Sequence, residues 1–507
     1  MVAKKNLMEY LHAQRWCNFK EELRQNKISD IKLYSVPYDQ NNKLLTLGKV
    51  ELSSGSEARY FLMPLAKIDE NDDIAKNNTI TINGVKYADA LKKDDFWKTF
   101  NQFLSENEYV EFPNGYKLEA HNLDKSNVIE QYSNTSSRPL GVEQSNTTLS
   151  VGDNEIAFKL ERMLSFSKDI NPEFEMNEKL MRENCQVMPK TYGYLTITDN
   201  KGRTSSAGIT QEFVKNKGDL WNYLVEYLKD RLQEGYLTQR NLTPEDNPEF
   251  MDIMANLGEK TQEMGDCLSS QDNNPSFTPE NVDDKFIRTY VKNMQVLLFT
   301  TKRSIENNLN KLPDDIKEKA SNILNNWDNL TGKYIEDKIS KIQSLENKGQ
   351  LVRVHGDFHL GQVMITPDNN LKFIDFAGEP GLPIEERKQK HISVRDIAGM
   401  YRSIQGYLGA VAAEEFSNTT SDDKTKENRK NYALKAIQPL INAGSQSFLG
   451  KQSLKNPWLS LEVLRKNLYE VNYEVNNRPQ MAYVAVNGLS TLLTEKHNAP
   501  KLSKERL

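Results

Sequence analysis

At 507 residues the chain is long enough for two or three domains with a substantial apolar core, so no metal staple or disulfide framework is needed to explain folding. Lysine and arginine number 66 against 71 acids, a formal net charge of -5, and the two signs are mixed along the chain, which argues against nucleic acid as a partner. Cys17, Cys185 and Cys267 are odd in number and too far apart for a metal site, the start MVAKKNLMEYLHAQ lacks a secretory core, and no apolar run approaches the roughly 20 residues of a bilayer span. A reducing, cytoplasmic setting without membrane contact is therefore expected.

From about residue 30 to 120 the chain runs in short alternating segments, IKLYSV (31–36), ARYFLMPL (58–65) and ITINGVKY (80–87), separated by Asn, Asp and Gly turns. This predicts an antiparallel β-rich module over 1–125. The polar stretch DKSNVIEQYSNTSSRPLG (124–141) reads as a boundary, after which TTLSV, a Gly152-Asp153-Asn154 turn and EIAFKLE predict a hairpin opening a second β segment, 126–215.

Beyond about residue 215 apolar residues recur three and four apart over 248–268, 283–348 and 396–450, which predicts a mostly helical lobe over 216–507. Its β-like interruption is LVRVHGDFHLGQVMITPDNNLKFIDFAG (351–378), two apolar runs around a Thr-Pro-Asp-Asn-Asn turn.

That interruption carries the chemistry. Asp357 follows the first apolar run, Gln362 lies a little further on, and Asp375 ends the strand after the reversal, so a hairpin would bring the three together. Phosphoryl transfer needs a carboxylate to orient and deprotonate the attacking hydroxyl, and oxygen ligands to hold magnesium on the phosphates. Asp357 suits the first role; Gln362 and Asp375 suit the second, since magnesium takes few protein oxygens and completes its shell with phosphate and water. Either aspartate alone reads as a turn residue, but His355-Gly356-Asp357, Gln362 and Asp375-Phe376 together resemble the catalytic and metal loops of kinases related to aminoglycoside phosphotransferases.

Such a kinase needs a strand lysine for the ATP phosphates and an acidic partner on the following helix. Lys159 in EIAFKLERML fits, with Glu175 the first choice of partner and Glu173 the second, in the helix start Asn171-Pro172-Glu173-Phe174-Glu175. The loop residues Gln144, Ser145 and Asn146 could fold backbone N–H groups over phosphate. Backbone atoms of Glu212 and Val214, in the segment joining the β and helical parts, would hold adenine.

Near the C-terminus, a helix over 461–479 would bury Leu464, Leu468, Val471 and Val475 on one face. The opposite face presents Lys466, Glu470, Tyr473, Glu474 and Asn477, bordered by Tyr469 and Arg478. Carboxylates that accept from hydroxyls, beside tyrosine rings that pack on a pyranose, suit a carbohydrate subsite; a solvated face is the ordinary alternative.

The motifs in their order, AQRW (13–16), EQSNTT (143–148), NPEFE (171–175), QEFVKNKGDLWNYLVEYL (211–228), HGDFHLGQV (355–363), IDFAGEP (374–380) and LYEVNYEVNNRP (468–479), resemble the bacterial maltokinase family. The resemblance implies an α+β, bilobal protein-kinase-like (aminoglycoside phosphotransferase-like) fold with a β-rich N-terminal cap, an intermediate nucleotide-binding β subdomain and a helical C-lobe. It implies ATP and Mg2+ as cofactors, Asp357 as catalytic base, Gln362 and Asp375 as magnesium ligands, and Lys159 as the phosphate lysine. His355, Lys466, Tyr469, Glu470, Tyr473, Glu474 and Arg478 would face the sugar. The implied reaction makes maltose 1-phosphate, with a functional link to trehalose synthase or a glucan-elongating enzyme.

The chain departs from the family at three places. Cys17-Asn18-Phe19 replaces the glycine turn of the cap motif, Ala377 stands where the metal motif has glutamate, and Gln480-Met481-Ala482-Tyr483 replaces the tryptophan after Asn477-Arg478-Pro479. Two other readings stay open: a kinase of the same fold for glucosamine or another monosaccharide, and a catalytically silent nucleotide- or sugar-binding protein.

Overall fold

The structure, a computed structural model, describes residues 4–38, 43–68, 79–105, 108–140, 146–379 and 382–494. The chain divides into two compact units, Met1–Lys215 with Gly381–Glu386, and Asn216–Pro380 with Arg387–Leu507. The first is built on sheets and the second mostly on helices, as the change of periodicity near residue 215 predicts.

In the first unit, strands Ile28–Pro37, Leu44–Leu52, Arg59–Lys67, Val85–Asp89 and Ile80–Ile82 form an antiparallel sheet in that spatial order, and Met163–Leu164 adds to Arg59–Lys67. Nearly every residue of RYFLMPLAK is buried because both faces of its strand are covered. Leu11, Trp16, Phe19, Phe61 and Met63 form a core on one side, while Leu45, Leu62, Phe96, Phe100 and Phe158 form another. Buried Arg162 joins the two sheets: its Nε donates to Thr147 Oγ1 at 2.9 Å and its guanidinium pairs with Asp89.

The second sheet, with seven strands, runs Tyr109–Phe112, Tyr116–Asn122, Thr191–Thr198, Thr204–Glu212, Ile156–Glu161, Asn146–Val151 and Ser137–Pro139. It corrects the expected boundary near residue 125. Tyr116–Asn122 pairs directly with Thr191–Thr198, so strands from both sides of the polar stretch share one ladder, and that stretch is a connection within a layer. Turn composition marks where a chain reverses but carries no information on which strands pair afterwards.

In the second unit, the long tract 283–348 is three α-helices, Asp284–Asn308, Asp314–Asn325 and Trp327–Gln343, interrupted at Leu312-Pro313. The C-terminal helix spans Pro457–Asn477. Pro457 starts it without losing a needed hydrogen bond, and the Asn456 side chain caps it by accepting from Trp458 N at 3.0 Å. Leu464, Leu468, Val471 and Val475 are fully buried, as their spacing requires. The helix packs against Asp284–Asn308, where Thr301 Oγ1 donates to the Leu468 carbonyl at 3.2 Å.

The β-like interruption is two structures. Val363–Ile365 and Leu371–Phe373 form the expected hairpin around Thr366-Pro367-Asp368-Asn369-Asn370. The run before Asp357 does not join it: Gln350–Val352 pairs with Glu280–Asn281 and His391–Ile392 instead. Segment 216–219 lies along the hairpin, with Lys217 N donating to Ile365 O at 2.8 Å, which sets the start of helix Leu220–Thr238 beside it.

Candidate functional site

The loop carrying Asp357 is held from behind by a buried carboxylate. Asp396, in the first turn of helix Arg395–Arg402, accepts the backbone N–H of His355 at 2.7 Å and of Gly356 at 3.0 Å. Gly356 has φ +86°, and a Cβ there would lie 3.4 Å from Gly378 Cα, so the glycine supplies both the left-handed turn and the close approach of the loop that follows Asp375.

His355 corrects an expectation. It does not face a substrate: its imidazole is 0 % exposed, packed between Phe358 and Phe376, with Nε2 bonded to the Ile374 carbonyl at 2.9 Å. The ring clamps the Asp357 loop to the strand end that leads into Asp375.

His359 is the histidine at the site. Its Nδ1 accepts from Gly361 N at 3.1 Å, so the neutral ring carries its proton on Nε2, which lies 4.0 Å from Asp357 Oδ2. Burial lowers its pKa; Asp357 and Asp375 pull it up, while Lys466 pushes it down. One imidazole thus feels Asp357, Asp375 and Lys466 of the C-terminal helix together. Gln362 joins them through the main chain, its N–H donating to His359 O at 2.9 Å and its carbonyl accepting from Ile374 N at 3.0 Å, next to Asp375.

Asp375 is exposed at the strand end in a left-handed conformation, φ +60°, while the Gln362 side chain is half-buried. A strained backbone persists where surrounding structure enforces it, and such positions gather at functional sites. An amide and a carboxylate oxygen are hard donors of the kind that magnesium takes, with phosphate and water completing its shell. Among the described residues no three His, Cys, Asp or Glu side chains form a metal cluster.

In the first unit, Lys159 projects from Ile156–Glu161 and its Nζ lies 3.7 Å from Glu173 Oε2. The partner preferred from sequence was Glu175. Asn171 caps this helix through Glu173 N and Pro172 opens it, and the buried Glu173, the second choice from sequence, meets the lysine. Asn146 begins its strand opposite Glu161. Gln144 and Ser145 lie outside the described residues. The backbone N–H of Glu212 donates to Lys190 O at 2.8 Å, and Val214 is half-buried just beyond the strand.

The C-terminal helix lines a cleft of about 540 Å³ with Lys466, Tyr469, Glu470, Tyr473, Glu474 and Arg478, all six of its expected sugar-side residues. His359 and Gly361 line the same cleft, as do Trp221, Tyr407 and Met481. Tyr469 and Tyr473 leave ring surface exposed. The Tyr469 phenol, pushed up to about 12 by burial and next by Glu379, hydrogen-bonds that carboxylate.

The two glutamates of the cleft are braced differently. Glu470 Oε2 receives both Nε and Nη2 of buried Arg402, at 2.9 and 2.7 Å. Glu474 Oε1 receives Arg478 Nη2 at 2.6 Å and, weakly, the Tyr407 hydroxyl at 3.4 Å. Glu474 Oε2 is buried with no hydrogen-bond partner among the described residues, and burial raises this carboxyl's pKa. Asp396, Arg402 and Tyr407 were not found from the sequence; acid at a helix start was the one available signal, for Asp396.

No protein-family model matches the chain. Among curated proteins, the glucosamine kinase of Streptacidiphilus jiangxiensis is 24 % identical over 293 residues, 57 % of this chain and 59 % of that protein, so the match spans about three fifths of the relative's length. Among solved structures, glucosamine kinase in complex with glucosamine, ADP and inorganic phosphate superposes with a TM-score of 0.58 at 17 % identity, covering 97 % of this chain and 100 % of that one. Glucosamine kinase in crystal form A gives a TM-score of 0.59 at 17 % identity, covering 98 % of this chain and 100 % of that one. At such identity the likeness establishes the fold: this chain has the α+β, kinase-like architecture of the glucosamine kinase structures.

Proposed function

We propose that the protein is an ATP- and magnesium-dependent kinase that phosphorylates a hydroxyl of an amino sugar of the glucosamine type, in the cytoplasm. The observation that carries this is the shared wall of the acceptor cleft. His359, which sits against Asp357, lines it together with Glu470 and with Glu474, whose buried second oxygen lacks a partner.

Asp357 would orient the attacking hydroxyl and take its proton. Lys159, set by Glu173, would bind ATP phosphate, and Gln362 and Asp375 would hold magnesium, which neutralises charge on the transferring phosphoryl group. Glu474 would accept from the sugar's ammonium group, a charge-assisted bond worth about 1.5–3 kcal/mol that a neutral sugar cannot make. The relatives named glucosamine kinase also support this acceptor, so it takes precedence over maltose. The link to trehalose synthase or a glucan-elongating enzyme rested on the maltokinase resemblance and loses its footing with it.

Incubation with Mg-ATP and glucosamine, glucose or maltose, reading ADP release, tests the reading. Glucosamine turnover well above glucose is expected. Maltose as the preferred acceptor would restore the maltokinase reading, and no turnover with any sugar would leave a silent binding protein.

A further inference from the structure

The helix spanning Arg395–Ser417 changes pitch in its middle. Arg395–Arg402 and Gly409–Ser417 are α-helical, whereas Ser403–Leu408 is a π segment. A π turn closes after five residues instead of four, and such insertions are weaker than regular helix and concentrate at functional sites.

Here the insertion has a geometric result. On a uniform α-helix, residues five apart point about 140° away from each other. Yet Arg402 and Tyr407, five apart, both reach the C-terminal helix, Arg402 at Glu470 and Tyr407 at Glu474. Those glutamates are four apart, one ordinary turn. The widened turn on one helix is thus matched to the normal turn on the other.

The neighbourhood is cut to fit. A Cβ at Gly406 would lie 2.7 Å from Arg402 Nη2, and one at Gly488 would lie 2.7 Å from Nη1, so two glycines leave a slot for the guanidinium. Arg402 and Tyr407 thereby occupy one oxygen of each glutamate, Oε2 of Glu470 and Oε1 of Glu474, while Glu474 Oε2 keeps no partner among the described residues.

We infer that the π segment is a specificity device: Arg402 and Tyr407 are positioning residues that engage one oxygen of each acceptor-side carboxylate and leave Glu474 Oε2 to the amino group of the acceptor. The inference rests on the amino-sugar reading above and adds to it the elements that set the carboxylates.

Steady-state kinetics of wild type, Tyr407→Phe and Arg402→Lys, each with glucosamine, glucose and varied Mg-ATP, decide it. Tyr407→Phe is expected to raise the KM for glucosamine about tenfold, to change that for glucose less, and to leave the KM for ATP within about twofold. Arg402→Lys is expected to weaken glucosamine in the same selective way. An unchanged glucosamine KM in Tyr407→Phe overturns the inference. So does a uniform rise in all three KM values with a lowered Tm, which would mark a merely structural residue. Should Arg402→Lys fail to fold, Tyr407→Phe, which removes one hydroxyl at the cleft wall, decides alone. If wild type does not phosphorylate glucosamine, the amino-sugar reading and the inference fall together; if it does and the variants match it, the inference alone falls.

Discussion

The Asp396 carboxylate accepts the backbone N–H of His355 at 2.7 Å, and its other oxygen takes the next N–H, that of Gly356. The residue that precedes Asp357 by two positions is therefore fixed by a side chain far along the sequence. Asp396→Ala leaves two buried donors unmet, at about 1–3 kcal/mol each. A lowered Tm and a fall in kcat larger than any change in sugar KM are expected, with Asp396→Asn intermediate because it keeps one acceptor.

Asp357→Asn removes the proposed base while preserving size. Loss of about 10²–10⁴-fold in kcat is expected, with nucleotide-induced thermal stabilisation retained. Turnover within threefold of wild type, measured by ADP release, would move the base to another residue.

Glu173→Gln and Glu175→Gln separate the two candidate lysine partners. Glu173 Oε2 lies 3.7 Å from Lys159 Nζ. Its variant is expected to raise the KM for ATP about tenfold, with the Glu175 variant within twofold. Equal effects would mean the helix as a whole, not the pair, positions Lys159.

The Arg402–Glu470 pair is almost fully enclosed, with side chains 4 % and 9 % exposed. Removing one partner strands a buried charge at about 3–5 kcal/mol, so Glu470→Ala should lower the Tm sharply. Replacing both by methionine should recover much of that stability while abolishing sugar selectivity. A double variant no more stable than the single one would refute the account.

Burial raises the Glu474 pKa, against the opposing pull of Arg478 and the Tyr407 hydroxyl, with Glu470 adding to the rise. The ionised form is the one that accepts from an ammonium, so kcat/KM for glucosamine should fall with decreasing pH from a point above the ordinary carboxylate range. Glu474→Gln should lower kcat/KM for glucosamine about 10–100-fold, spare glucose and flatten that acid limb. His359, whose pKa is lowered by burial, contributes no limb above its ordinary value.

The hairpin and the acceptor face were legible because local chemistry sets both. Thr366-Pro367-Asp368-Asn369-Asn370 dictates a reversal, and the period of Leu464, Leu468, Val471 and Val475 dictates which face is buried. His355 was misplaced because adjacency to Asp357 in sequence says nothing about side-chain direction. Arg402 and Tyr407 were hidden because a π insertion breaks the 3.6-residue period by which helix faces are read, and their partners lie in a distant segment.

The connectivity of the two units bears on how the protein can be dissected. The chain leaves the first unit at Lys215, re-enters it for Gly381–Glu386 and departs again at Arg387, and within that return Glu385 accepts from the Ser167 hydroxyl at 3.0 Å. A protease nicking the bond after Lys215 would therefore sever the backbone without yielding two self-sufficient halves: the C-terminal fragment would still carry a short piece whose native neighbours had stayed with the other.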